Sequence, residues 1–409
     1  MVSISTNLNS DTSRAKKQGM NYKGALALLT SLFFMWGFLT CMNDILIPHL
    51  KGLFDLNITQ AMLVQFTFFG AYFLMSLPAG WIIGKIGYKM GIVTGLGIAG
   101  IGAGLFFPAA AFLSYGFFLF AFFILAVGIV ILQVAANPYV AELGSPETAS
   151  SRLNLTQGFN SLGTTVAPIF GSYLILENTA QESAAKAEAV QLPYVGLALA
   201  LVLIAVVFAF VKLPKIQEVE EQKAEGSAWK FRHLVLGAVA IFAYVGAEVA
   251  IGSSLVMYLG SEGLHLYGEA QAANYVAVFW GGAMIGRFIG SAIMQKMSAS
   301  KVLAFNSVFV VVLIITSMLT SGYVAMWSIV LVGLFNSIMF PTIFTLAIDG
   351  LGKHTSQGSG ILCLAIVGGA IVPVLMGVLA DNFGLSNSFA ITILCYGYIL
   401  FYALKGHKH

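Results

Sequence analysis

Long apolar runs separated by short polar breaks dominate the chain, at 24–48, 60–84, 91–112, 116–140, 153–176, 192–212, 233–259, 270–295, 301–320, 323–348, 359–380 and 386–404. A helix needs about 20 apolar residues to cross the hydrocarbon core of a bilayer, so the pattern predicts an all-α integral membrane protein with twelve transmembrane helices. Most breaks are too short to hold a folded domain. The exceptions are a loop at 177–191 and a mixed-charge stretch at 213–232 with Lys215, Glu218, Glu220, Glu221, Lys223 and Glu225. The second of these divides the chain nearly in half. The expected organisation is a tail (1–22), a six-helix half (23–212), a linker (213–232), a second six-helix half (233–404) and a short tail (405–409).

The basic residues set an orientation. Lys23, Lys85, Lys89, Arg152, Lys212, Lys215, Lys230, Arg232, Lys296, Lys301, Lys353, Lys405 and Lys408 fall on one side of a twelve-span arrangement, and Lys51 and Lys186 on the other. The positive-inside rule places the basic side, with both termini, in the cytoplasm. The halves also echo each other. Gly163-Thr-Thr-Val-Ala-Pro168 in the fifth span matches Gly368-Gly-Ala-Ile-Val-Pro373 in the eleventh, and Gly144 after the fourth recurs as Gly352 after the tenth. Six spans on each side of a linker favour parallel halves related about the membrane normal, with a site between them near midplane.

Composition narrows the classes. Charged residues are 9% of the chain and hydrophobic residues 58%, against roughly 25% charged in soluble domains. A net charge of +3 with no basic stripe carrying aromatics gives nucleic-acid binding no support. Cys41, Cys363 and Cys395 lie in apolar runs without metal-ligand spacing and read as packing residues. The polar start, with Arg14, Lys16 and Lys17, lacks the pattern of a secretory signal and reads as a cytosolic tail. The histidines lie in or near loops and the tail and form no catalytic constellation. No glycine cluster is followed by the Lys-Ser/Thr pair of a phosphate loop, which disfavours ATP-driven transport.

Against this apolar background the intramembrane polar residues stand out. Asp44 lies within the first run. A carboxylate at such depth is costly and normally lines an ion or substrate pathway. Glu248 lies sixteen residues beyond Arg232, or roughly 24 Å along a helix, and shares a face with Tyr244. Gln133 and Asn137 are one turn apart and can present amides to vicinal hydroxyls; helix-to-helix bonding is the other reading, with Pro138 freeing a carbonyl that Asn137 helps satisfy. The fifth span carries Gln157, Ser161, Thr164 and Pro168 on one stripe with Asn160 beside it, whereas Arg152 and Asn154 nearer its end read as structural. Trp36 and Trp280 are candidates for stacking on a sugar ring. Asn274 and Trp280 share a face only if the eighth helix is irregular at Gly281 and Gly282, and Asn336 is an isolated polar residue in the tenth span.

The loop Gly80-Trp-Ile-Ile-Gly-Lys-Ile-Gly-Tyr-Lys89 resembles the signature loop of the major facilitator superfamily, with Gly84 where an Asp is usual and Tyr88 where an Arg is frequent. Six further motifs run in order along the chain: Asn43-Asp-Ile-Leu-Ile-Pro48, Gln133-Val-Ala-Ala-Asn-Pro-Tyr139, Arg152-Leu-Asn-Leu-Thr-Gln-Gly-Phe-Asn160, Tyr244-Val-Gly-Ala-Glu248, Ala273-Asn-Tyr275 with Gly286-Arg-Phe288, and Phe340-Pro-Thr-Ile-Phe344. Together they resemble the fucose/proton symporter family. The fucose members use carboxylates in the first and fourth spans. The first carries over to Asp44; the second is replaced by Gln133, while Glu248 stands where those members have Gln. The pattern is closer to the glucose/galactose or N-acetylglucosamine branch.

The expected protein is a monomeric bacterial inner-membrane carrier, in contact with the lipid bilayer, that imports a neutral monosaccharide with a cation and holds no cofactor. Asp44, Asn43 and Glu248 are expected at the ion; Gln133, Asn137, Gln157, Asn160, Asn274, Trp280, Asn336 and Trp36 at the sugar. Sodium is the expected ion, with Asp44 and Glu248 as its ligands, because the fourth-span carboxylate is missing. The proton is the alternative. A drug or metabolite antiporter is the rival class, disfavoured by Ala167-Pro168 in place of the Gly-Pro of the usual antiporter motif.

Overall fold

A computed structural model describes residues 23–56, 63–171, 183–214, 226–259 and 269–408. The expected tail at 1–22, the centre of the linker and the start of the 177–191 loop, to 182, lie outside these residues. Among the described residues the regular structure is entirely helical. Ten stretches among the described residues are long and apolar enough to cross a membrane. One of them, Phe66–Ala111, reverses at Gly87, whose φ of +78° interrupts the helical run, and therefore supplies the second and third spans. Ala149–Gly171 is the fifth span, less apolar than the rest because of its polar stripe. The twelve-helix expectation thus holds. Its boundaries shift: the sixth helix begins at Ser183, inside the expected loop, because Ala-rich Ser183–Leu192 continues as helix through Pro193. The first runs on to Leu53 and the last to Gly406.

Many large apolar side chains point outward, among them Phe66, Leu74, Trp81, Ile101, Leu192, Phe210, Leu319 and Leu394. Closed helices with lipid-facing apolar surfaces satisfy every backbone group without water. The interior is held by small residues that let backbones touch. A Cβ on Gly163 would land on the Phe34 carbonyl oxygen of the first span, and a Cβ on Gly368 on the Phe242 carbonyl oxygen of the seventh. The fifth span therefore packs on the first as the eleventh packs on the seventh, and the weak sequence echo has a physical cause. Gly144 and Gly352 correspond too, both turning the chain with positive φ.

Overfilling such a contact costs about 1–3 kcal/mol. Gly163→Val is accordingly expected to lower the melting temperature of the purified protein. Gly97→Ala is the control, since no atom lies within 4 Å of its would-be Cβ. Equal melting temperatures for the two variants would contradict the close-packing account.

Contacts between the halves gather toward the end of the bundle that carries most of the lysines and arginines. There the second and fourth spans meet the eleventh, and the fifth meets the eighth and tenth. Gly80 lies against the backbone of Ser356 and Gly360. Ser150 shares a hydrogen bond with Thr345, Ser151 donates to the Ser291 carbonyl at 2.7 Å, Ser291 returns one to Ser151 at 2.8 Å, and Asn154 reaches Thr342 at 3.3 Å. Arg152 caps the fourth helix by donating to the carbonyls of Val140, Ala141 and Ser145. In the signature loop Lys85 sits 3.4 Å over the Trp81 ring, and the Tyr88 hydroxyl donates to Glu142 at 3.4 Å.

Candidate transport site

Gln133 and Asn137 face inward on the fourth helix, 4% and 0% exposed. The Tyr72 hydroxyl of the second span donates to the Gln133 side-chain oxygen at 2.6 Å. Neither polar atom of the Asn137 amide meets a protein partner. A buried amide left so is costly, about 1–3 kcal/mol, and is a place where a polar ligand is worth most. Pro138 removes the N–H that would have closed the helical bond to the Val134 carbonyl. Asn137 does not satisfy that carbonyl, as the sequence suggested; the Ser359 hydroxyl of the eleventh span does, at 2.8 Å. The proline thus creates an acceptor for a bond between the halves.

On the seventh helix Tyr244 donates to Glu248 at 2.6 Å, as their one-turn spacing allows, and Glu248 is 9% exposed. Arg287 lies on the eighth helix. Its guanidinium donates to the Ser161 hydroxyl, to the Gln157 carbonyl at 3.4 Å and to the Ser337 carbonyl at 3.2 Å. Arg287 falls in the Gly286-Arg-Phe288 motif, and the sequence pattern assigns it no role. The signal was present: the rule that singled out Asp44, a charge inside an apolar span, applies to it equally.

The other expected residues divide. Gln157 is buried against the same interface. Asn160 donates to the Phe33 carbonyl at 3.0 Å and braces the first span. Asn336 is fully buried, its amide donating to the Tyr396 hydroxyl at 3.4 Å and its oxygen unpartnered. Trp36 is buried with Phe33, ring centroids 5.2 Å apart. Trp280 is 42% exposed and packs edge-on to Phe279. The eighth helix runs without interruption through Gly281 and Gly282, so the irregularity needed to put Asn274 and Trp280 on one face is absent. Asn43, Asp44 and Asn274 lie on helices, and their side chains are outside the described residues. Among the described residues no three of His, Cys, Asp and Glu gather as a metal site. The three cysteines form no disulfide, and Cys363 is fully buried. A groove of 1590 Å³ at the basic end, lined by Trp81, Lys85, Glu142, Lys296 and Lys353 among others, includes none of the expected site residues.

Membrane helices in two halves, with buried amides and a carboxylate in the interior and an arginine bonded across the seam, have the architecture of a multi-pass carrier. The chain belongs to the major facilitator superfamily, whose family model matches residues 26–365. It is 58% identical to the glucose/galactose transporter of Brucella abortus, over 100% of this chain and 99% of that one. It is 35% identical to the L-fucose-proton symporter of Escherichia coli, over 94% of each. A solved structure of the transporter FucP in its outward conformation superposes with a TM-score of 0.89 at 34% identity, covering 95% of this chain and 99% of that one. The resemblance to the fucose/proton symporter family is borne out.

Proposed function

We propose that the protein imports a neutral hexose, glucose- or galactose-like, together with a cation, by alternating access between its halves. The observation that carries this reading is the buried, unpartnered amide of Asn137 one turn from Gln133, with the Glu248 carboxylate on the opposite half. Hydroxyl-rich substrates satisfy amide donors and acceptors together. The names of the similar proteins support the substrate class. The sodium expectation finds no such support, since the relatives whose names state an ion are proton symporters. Proton symport is therefore the first reading, with Glu248 as the protonated group in place of the missing fourth-span carboxylate. Sodium is the second, favoured by Gln133 standing where a proton carrier would be needed. The bonds at the basic end support a cytoplasm-closed state, and the lysine asymmetry supports cytoplasmic termini.

The deciding experiment is uptake of labelled glucose, galactose, fucose and N-acetylglucosamine into proteoliposomes, with sodium and pH gradients imposed separately. Proton symport requires uptake that follows an inward proton gradient in sodium-free buffer. A response to sodium at several fixed pH values assigns sodium instead, and saturable export of cationic drugs without sugar exchange would establish the antiporter. Asp44→Asn, which keeps the shape and removes the charge, is expected to abolish gradient-driven accumulation while sugar exchange persists. Accumulation at the wild-type level would make Asp44 a structural residue.

A further inference from the structure

Tyr72 stands behind Gln133. It lies in the second span, on the helix Leu63–Gly104, which packs along the fourth, Tyr115–Glu142. The phenol is 3% exposed, with the Phe68 ring one turn away at 5.2 Å, so packing fixes where its hydroxyl points. That hydroxyl gives its single proton to Gln133 Oε1 at 2.6 Å. The contact is short for an N–H···O bond and ordinary for O–H···O, which matches an amide turned with its oxygen toward the tyrosine. Among the described residues no hydrogen bond reaches the Gln133 nitrogen. An amide offers one acceptor atom and two N–H donors, and with the oxygen held by Tyr72 the donors are what remains for a ligand. Asn137, one turn on, differs: neither its oxygen nor its nitrogen has a partner, so no hydrogen bond sets which way round it lies.

We propose that Tyr72 is a positioning residue for sugar recognition: it fixes the Gln133 side chain so that N–H donors meet the substrate, which makes the sugar hydroxyl at this point an acceptor. The inference rests on the reading of Gln133 as a sugar ligand and adds which way its amide faces. The consequence is a specific kind of selectivity. A group that accepts a hydrogen bond is admitted at that corner of the sugar, and a group that only donates, such as an ammonium, is refused. An amide free to turn over would serve either. Holding it in place beforehand also spares the substrate the cost of orienting it on binding. A tyrosine present only to pack the second span against the fourth would have no bearing on which atom the substrate meets.

The test is calorimetric titration of the purified protein with glucose, galactose and their monodeoxy and monodeoxyfluoro analogues, one hydroxyl altered at a time. The hydroxyl opposite Gln133 is the one whose removal weakens binding to the wild type but not to Gln133→Ala. Removing it is expected to weaken binding to the wild type about tenfold, because an N–H donor is left unpaired. Fluorine accepts a hydrogen bond weakly and donates none, so the fluoro analogue at the same carbon is expected to bind better than the deoxy one. Equal loss on both overturns the proposed orientation in the unaltered protein, whatever any substitution does to folding. Tyr72→Phe keeps the ring and removes the proton that holds the amide. It is expected to weaken the parent sugar and the fluoro analogue by about fivefold, the worth of one hydrogen bond, and to leave affinity for that deoxy analogue unchanged. An equal loss on all three, or none on any, makes Tyr72 a packing residue and overturns the proposal. Sugar exchange in proteoliposomes separates the two ideas. If no sugar binds or exchanges, the sugar reading fails and the inference with it; exchange in a protein where no hydroxyl answers to Gln133 sinks the inference alone.

Discussion

Glu248→Gln is expected to leave a protein that exchanges sugar across the membrane but does not concentrate it. One positive charge entering through 100 mV supplies about 2.3 kcal/mol, and at about 1.4 kcal/mol per tenfold this sustains accumulation of roughly fifty-fold. An amide in place of the carboxylate keeps an acceptor for the Tyr244 hydroxyl, so the helix pair survives. It cannot carry a proton and is a weaker ligand for sodium. Accumulation should fall from that level to near equilibrium under a proton gradient; under a sodium mechanism the half-maximal sodium concentration should rise. The measurement is steady-state uptake with counterflow in the same vesicles. Full accumulation by the variant would move coupling away from the seventh span, leaving Asp44 as the group to pursue.

Gln133→Ala is expected to weaken sugar binding by roughly ten- to a hundred-fold while sparing binding of the cation in the absence of sugar. The deletion removes an amide facing the interior and also strips the Tyr72 hydroxyl of its acceptor at 2.6 Å. Each buried polar group left unpaired costs about 1–3 kcal/mol. Calorimetric titration of the purified protein with glucose and galactose reads the affinity directly. Unchanged affinity would remove Gln133 from the site and make it a brace for the second span.

The position of each candidate polar residue along its span was legible in the sequence, because counting residues from the basic flanks gives how far it lies along its helix. The pairing of Tyr244 with Glu248 was legible too, being local. Partners across the bundle were not. Tyr72 and Gln133 are separated by 61 positions, and Ser359 lies 225 from the Val134 carbonyl it fills; no periodicity within a span reports which neighbour will face it. Arg287 could have been singled out as a charge inside an apolar span, but its partners on the fifth span could not. Its importance follows from what it touches on the fifth span, and its own apolar surroundings say only that it must touch something.

The sequence by itself determined the number of spans and the division into two halves, because hydrocarbon demands about 20 apolar residues per crossing and penalises charge within them. It also carried the family, through motifs in order along nearly the whole chain. The tertiary structure decided the rest: that Gly163 and Gly368 are equivalent contacts, that Pro138 frees a carbonyl for the opposite half, and that Arg287 ties the fifth span to the eighth. Lipid supplies no hydrogen bonds, so each buried polar group must find its partner inside the bundle, and which one it finds depends on how the helices are rotated and packed.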